Sequence, residues 1–246
     1  MRLNRFLAAA GLGARRKCEE LIAEGRIQVN GETAESPAIQ VDPDRDKVLC
    51  DGERLRLPRD LLYTMMHKPA GYVVTAADER GRPTVYDLLP ARLRGKVRAV
   101  GRLDQGSEGL LLFTNDGDLS NALLHPSHQV PRTYLAWVTP VPRLEAIAML
   151  RQGVPIGPRE KSGPAEVRVL GRKGTVGRVR ITIREGKNRE VRRMFRAVGA
   201  RVLGLRRIRF DGVELGPLPP GKVRPLLAPE VESLRRASGL APSGQD

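Results

Sequence analysis

The chain has 246 residues, 40% of them hydrophobic, so it can bury a real core as one large domain or as a small domain joined to a larger one, and disorder throughout is excluded. It has no apolar run of about 18 residues and opens on a helix-like pattern without a signal-peptide core, which points to a cytoplasmic protein with no membrane partner. Forty-three basic residues stand against 28 acidic ones, a formal net charge of +15.

The basic set comprises 35 Arg and 8 Lys. Arginine offers planar, bidentate contacts to phosphate and stacks on bases, so the bias fits a nucleic-acid partner; genome composition is the bland alternative. Residues 1 to 60 hold 11 basic and 11 acidic side chains, so the whole excess lies after residue 60. Within it, Arg168 to Asp211 carries 15 basic residues and three acidic ones, which reads as a phosphate-tracking surface or, more simply, as a solvated charged face. Two cysteines, Cys18 and Cys50, are too few for a disulfide framework or a Cys-based zinc site and are expected as buried thiols.

Leu3, Phe6, Leu7 and Ala10 recur at helical spacing, Gly11 and Gly13 punctuate, and Ala14, Cys18, Leu21 and Ile22 begin a second amphipathic helix. RIQVNGE then alternates and ends in Asn30-Gly31, a type I′ hairpin signal, and KVLCDGER repeats the pattern with Asp51-Gly52. Arg15, Arg16 and Lys17 occupy the first turn of the second helix, where the macrodipole disfavours cations. Either they await an external anion or Glu19 and Glu20 neutralise them.

The segment RLNRFLAAAGLGARRKCEELIAEGRIQVNG resembles the small RNA-binding domain first known from the fourth small-subunit ribosomal protein, here the S-four-like domain. The resemblance covers residues 1–55 and implies an RNA-binding face carrying Arg2, Arg5, Arg15, Arg16, Lys17 and Arg26. Ala14 stands where the family often has a Ser as helix N-cap. Residues 56–60 read as a linker.

From Leu61, short apolar runs are separated by Gly and Pro. Leu110 to Phe113 is an apolar strand, followed by a turn at Asn115-Asp116-Gly117 and a helix stopped by His125-Pro126. TYLAWV from Thr133 is another strand. RVRITIRE from Arg178 alternates strictly, with Val179, Ile181 and Ile183 on one face and Arg178, Arg180, Thr182 and Arg184 on the other. Asn188 can cap a helix whose apolar stripe is Val191, Met194, Phe195 and Val198, with Arg189, Arg192, Arg193 and Arg196 opposite and Gly199 at C′. ARVLGLRRIRF returns as a strand. The pattern predicts an α+β fold with a mostly antiparallel sheet over residues 61–228, and a polar, weakly ordered tail over 229–246.

Chemistry-bearing motifs are few. His125 and His128 straddle Pro126 with no Cys nearby, so no metal is expected, and no phosphate-cradling or dinucleotide motif is present. Asp104 lies in a Gly-flanked loop between VRAV and LLLF, where a rigid sheet can present a carboxylate to a ligand; taken alone, such an Asp is more often a turn or cap residue.

GRLDQGSEGLLLFTNDG, however, closely resembles the catalytic segment of RNA pseudouridine synthases of the RsuA/RluB type. HKPAGYVVT with GRPTVYDLLP is similar to that family's opening motif, PRTYLAWV to its tyrosine motif, and EGKNREVRRMFRAVGARVLGLRRIRFDGVELGPLPPGKVRPL to its C-terminal signature. Ser107 replaces the family's common Thr, and Arg132 its usual Lys.

The resemblance implies that Asp104 is the catalytic aspartate, acting at the ribose of a uridine so that the glycosidic bond breaks and the base rejoins through carbon 5. It implies Arg192 as the cation that keeps Asp104 ionised, or else one more phosphate contact, and Tyr134 as a stacking and proton-accepting residue, or else a half-buried strand tyrosine. Leu205 is expected to pack on the base or simply to belong to the core, and Arg102, Lys187, Arg189 and Arg193 to bind substrate.

A uridine in a stem must leave its stack to be reached, and the isomerisation is redox-neutral with no group donor, so no cofactor is expected. The implied partner is ribosomal RNA, closer to the large-subunit (23S) branch, acted on by a monomer. A 16S rRNA or tRNA synthase and a non-enzymatic RNA-binding assembly factor are the alternatives.

Overall fold

Leu3, Phe6 and Leu7 lie on one side of helix α1 (Leu3–Ala9), and Cys18, Leu21 and Ile22 on one side of α2 (Arg15–Ala23). Both stripes close on Ile27, Val48 and Cys50 of a four-stranded sheet: β1 (Ile27–Val29), β2 (Glu32–Thr33), β3 (Val48–Cys50) and β4 (Glu53–Arg54), ordered β2-β1-β3-β4. Asn30-Gly31 and Asp51-Gly52 adopt positive φ at both hairpins, as a type I′ turn requires. The structure is a computed structural model that describes residues 1–58 and 60–241. It divides into two compact units, Met1–Leu62 with Asn115–Gly117, and the rest of the chain from Tyr63. The segment expected as a linker runs into the first unit: Leu57 packs on its core, and Asn115 accepts from the Leu62 N–H at 2.7 Å and donates to Asp60 O at 2.9 Å. Arg59 lies outside the described residues.

The second unit is built on β5 (Tyr63–Lys68), β6 (Arg98–Ala99), β7 (Glu108–Thr114), β8 (Arg132–Thr139), β9 (Pro155–Gly157), β10 (Glu160–Lys161), β11 (Glu166–Lys173), β12 (Val176–Ile183), β13 (Arg201–Phe210), β14 (Val213–Glu214) and β15 (Val223–Pro225). Its helices are α3 (Gly117–Leu124), α4 (Leu144–Gln152), α5 (Glu190–Ala197) and α6 (Ala228–Ala237). The main sheet is ordered β11-β12-β8-β13-β7-β5-β15, with β14 on β13 and β6 on β7; β13 and β7 pair parallel and the other ladders are antiparallel. The expected α+β, mostly antiparallel fold is what forms.

Strand register sorts the side chains into two faces. Val167, Ile181, Tyr134 and Arg207 form one cross-strand row, and Val169, Val179, Ala136 and Leu205 the next, all on the buried face. Arg168, Arg180, Leu135 and Arg206 form the corresponding row on the other face. The close parallel approach of β13 to β7 depends on Gly109, where a Cβ would lie 2.2 Å from the Arg207 carbonyl oxygen.

Two expectations are corrected. Asn188 does not cap α5: the N-cap is Arg189, in the left-handed region at φ 48°, and Glu190 Oε2 accepts the Lys187 N–H at 3.1 Å. Residues 229–246 are not a tail throughout. Leu227 and Glu230 open α6, Arg224 clasps Glu230 in two ion-paired bonds of 2.6 and 2.7 Å, and Leu234 enters the core with Phe210, Val213 and Leu215. The apolar spacing of Val231 and Leu234 explains the helix. Residues 242–246 lie outside the described residues.

Candidate active site

Asp104 sits in the loop between β6 and β7, where the Ser107 N–H donates to its carbonyl at 3.0 Å and closes a tight turn. Beneath that turn lies Lys68, the last residue of β5 and fully buried. Its Nζ donates to the carbonyls of Ser107 at 2.7 Å, Pro69 at 3.0 Å and Gln105 at 3.3 Å. Burial pushes the Lys68 ammonium down to about 8, against the attraction of Asp104 and Glu108. The loop therefore wraps a buried cation, which fixes its backbone.

Arg192 approaches from α5. Its Nε stands 3.9 Å from Asp104 Oδ2; Nη1 donates to Val202 O at 3.2 Å, and Nη2 to Gly106 O at 3.2 Å and to Ser107 Oγ at 3.4 Å. Burial and the neighbouring Arg189 hold its pKa below the usual arginine value, while Asp104 opposes them. The guanidinium is thus oriented by backbone carbonyls, with one edge left facing the aspartate.

Asp104 opens onto a cleft of about 350 Å³, in the usual size range for small-ligand sites. Tyr134 and Leu205 line it from the sheet, both nearly buried, and exposed Arg102, Arg189 and half-buried Lys187 stand at its walls. Lys187 Nζ is already held by Glu185 and by Lys161 O, each at 2.6 Å. Arg193 points elsewhere: it pairs with Glu160 and donates to Ile156 O, away from the residues that line the cleft. Adjacent positions on a helix lie about 100° apart, so Arg192 and Arg193 serve different neighbours.

Three further groups line the cleft beyond the expected site residues. Glu190 is buried, and its carboxyl is pushed up to about 7 by that burial and by Glu185, against the Lys187 N–H bond. Arg132 and Arg207 are also buried and flank the Phe210 ring with guanidinium carbons 5.1 and 5.3 Å from its centroid. Among the described residues neither bonds a carboxylate: Arg132 donates to Glu185 O and Leu123 O at 3.0 Å each, and Arg207 to Leu110 O at 2.7 Å. Two guanidinium groups under one wall give the cleft a positive field suited to an anionic ligand.

In the first unit, Arg2, Arg15, Arg16 and Lys17 are exposed and Arg5 is half-buried. Lys17 pairs with Glu20 at 3.1 Å, and Arg26 is clasped by Asp51 at 2.6 Å and Glu24 at 3.1 Å. The first turn of α2 and Arg2 thus present exposed cations, and Arg26, also exposed, ties β1 to the β3–β4 hairpin.

The family model for RNA pseudouridylate synthases matches residues 62–197, more than half of the chain, and the S4 domain model matches residues 1–47. The chain belongs to the RNA pseudouridylate synthase family. Its relatives include an uncharacterized RNA pseudouridine synthase of Mycobacterium tuberculosis, 42% identical over 98% of this chain and 95% of that one. The ribosomal large subunit pseudouridine synthase B of Bacillus subtilis is 36% identical, covering 95% of each chain. A crystal structure of a pseudouridylate synthase superposes with a TM-score of 0.70 at 32% identity, over 95% of this chain and 99% of the other. This synthase thus carries an S4 RNA-binding domain ahead of its catalytic domain, and no helix among its described residues is long and apolar enough to cross a membrane.

Proposed function

We propose that this RNA pseudouridine synthase isomerises a specific uridine of large-subunit ribosomal RNA in the cytoplasm, with Asp104 as its catalytic residue. The reading rests above all on one observation: Asp104 faces the backbone-oriented edge of Arg192 at the mouth of a cleft that Tyr134 and Leu205 also line. The similarity to a large-subunit synthase of Bacillus subtilis supports the choice of RNA.

In the proposed reaction the target uridine leaves its stack and enters the cleft, its backbone held by the surrounding arginines. The Asp104 carboxylate acts at the ribose, and the bond between N1 and the anomeric carbon breaks with its electron pair leaving on the uracil. The base turns within the cleft, its carbon 5 bonds the anomeric carbon, and the proton on carbon 5 is lost while N1 gains one. Product and substrate are isomers, so the atoms and electrons balance. Confinement matters because a freed uracil would otherwise diffuse away. Tyr134 supplies a ring face against the base and a phenol near the carbon-5 proton; Arg192 places a positive charge beside Asp104 and aims it. The field of Arg132 and Arg207 favours the transient negative charge on the uracil.

Mapping pseudouridines in ribosomal and transfer RNA from a strain lacking the gene tests the reading. Loss of one site in large-subunit RNA, restored by the wild-type protein and not by Asp104→Asn, is the expected result. Loss of a site in small-subunit or transfer RNA would replace the proposed substrate.

A further inference from the structure

The buried face of the β11–β12–β8–β13 sheet ends in the catalytic cleft, and its other face carries a different pattern. Arg168 on β11 stands directly opposite Arg180 on β12, with Leu135 on β8 next in the row. In the neighbouring row Arg178 lies between Gly171 and Trp137, with Gly204 beyond. Arg168, Arg178 and Arg180 are exposed, and among the described residues none of them makes an ion pair. The acidic residues in these and the adjoining row are engaged by other arginines, Glu166 by Arg184 at 3.8 Å, Glu214 by Arg209 at 3.8 Å and Glu108 by Arg206 at 2.7 Å.

Like charges placed directly across a strand pair are destabilising, so the Arg168–Arg180 pair costs the fold something that no ion pair among the described residues offsets. Cations on an edge strand can guard it against pairing with another chain. That account covers Arg168 on β11 but not Arg178 and Arg180, because β12 is hydrogen-bonded on both sides. Glycines flank the Arg178–Trp137 pair in its row; a Cβ on Gly171 would meet nothing within 4 Å, so the face is open beside Arg178, whereas Gly204 is covered by the Trp137 ring, 3.1 Å from where its Cβ would stand. Trp137 is half-buried, with the Arg206 guanidinium 5.5 Å from its ring centroid.

We propose that this face is a further RNA-binding surface besides the S4 domain and the cleft, on the reverse of the sheet from the cleft, and that it holds the sugar-phosphate backbone of a segment of the substrate RNA outside the target uridine's own loop. Phosphates neutralise the facing arginines without reading sequence. RNA is favoured over an acidic protein because the cations repeat at two-residue and cross-strand spacing over an open pleated surface, suited to a continuous line of charges. Such a surface adds affinity for long RNA while leaving the choice of uridine to the cleft.

The test is filter binding of the full-length Arg168→Ala/Arg180→Ala variant across a range of KCl concentrations. The probes are a large-subunit ribosomal RNA transcript and an RNA duplex of arbitrary sequence. The salt dependence of binding should become shallower by about two for the transcript, one for each phosphate no longer neutralised, with a matching fall in duplex affinity. The defect should appear in KM, and the melting temperature should hold or rise because a like-charge pair is gone. Arg178→Ala, with no arginine opposite it, should lower the slope by about one. Unchanged slopes in both variants would overturn the proposal. So would a loss confined to ribosomal particles with binding to naked RNA intact, which would mark a protein partner.

Discussion

Arg192 Nε stands 3.9 Å from Asp104 Oδ2 while the two terminal nitrogens of the same guanidinium are committed to the carbonyls of Val202 and Gly106. The ion pair is therefore loose, and the orientation of Arg192 comes from the backbone more than from its partner. Removing the side chain takes away both a charge beside the aspartate and a clamp between α5, β13 and the catalytic loop.

From this arrangement, Arg192→Ala should lower the single-turnover rate at saturating RNA by roughly 10² or more, a loss of about 3 kcal/mol of transition-state stabilisation. Arg192→Lys keeps the charge but cannot hold the same three acceptors, so a partial defect is expected. Arg189→Ala and Arg196→Ala should act mainly on affinity and salt dependence. Single-turnover kinetics beside filter binding separates these outcomes, and an Arg192→Ala defect in affinity alone would move Arg192 to the phosphate-binding set.

Lys68→Met should destabilise the fold by roughly 2–4 kcal/mol, because the carbonyls of Pro69, Gln105 and Ser107 lose a charged donor in a buried place. The pH dependence carries a second signature. With a folded-state value of about 8 against 10.5 for an ordinary lysine, the unfolded chain binds more protons between those limits, so wild-type stability gains from this group as pH rises through them. Urea melts across that range should show the gain in wild type and not in Lys68→Met; equal stability of the two proteins would contradict the role given to Lys68.

Glu190 has the opposite chemistry and the opposite sign. Its folded-state value of about 7 exceeds the ordinary 4.5, so between those limits the folded protein holds the extra proton and stability falls as pH rises. Glu190→Gln removes that dependence. Relative to wild type, the variant should become more stable as pH climbs from about 4.5 to about 7, by an amount on the order of 1–3 kcal/mol. Thermal melts over that range measure it, and parallel curves would mean that burial and the neighbouring Glu185 do not raise the Glu190 carboxyl.

Much of the site is readable in the sequence because its residues fall within contiguous motifs. Asp104 between two apolar runs, Tyr134 on an alternating strand and Arg192 on an amphipathic helix each have a local pattern to mark them. Lys68 and Glu190 carry no such mark, since their character comes from burial against residues distant in sequence: Lys68 reaches Ser107, 39 positions away. Arg207 looks like one more cation in a basic run, and strand register alone turns it inward beside Phe210. Sequence groups Arg192 and Arg193 on one side because helical spacing gives a face only to within a turn. It also leaves the Arg26–Asp51 pair unseen, because Asp51 arrives through the fold of the hairpins. Helix α6 escapes for a different reason: polar composition outweighs the short apolar spacing of Val231 and Leu234, which is present to be read.

The most direct measurement is tritium release from RNA labelled at carbon 5 of uridine, made on Asp104→Asn together with RNA binding. Removing a carboxylate from a site that binds a polyanion should not weaken electrostatic affinity. The account predicts wild-type-like or tighter binding with no detectable release. Release at the wild-type rate from Asp104→Asn would contradict the assignment of Asp104 as the catalytic residue.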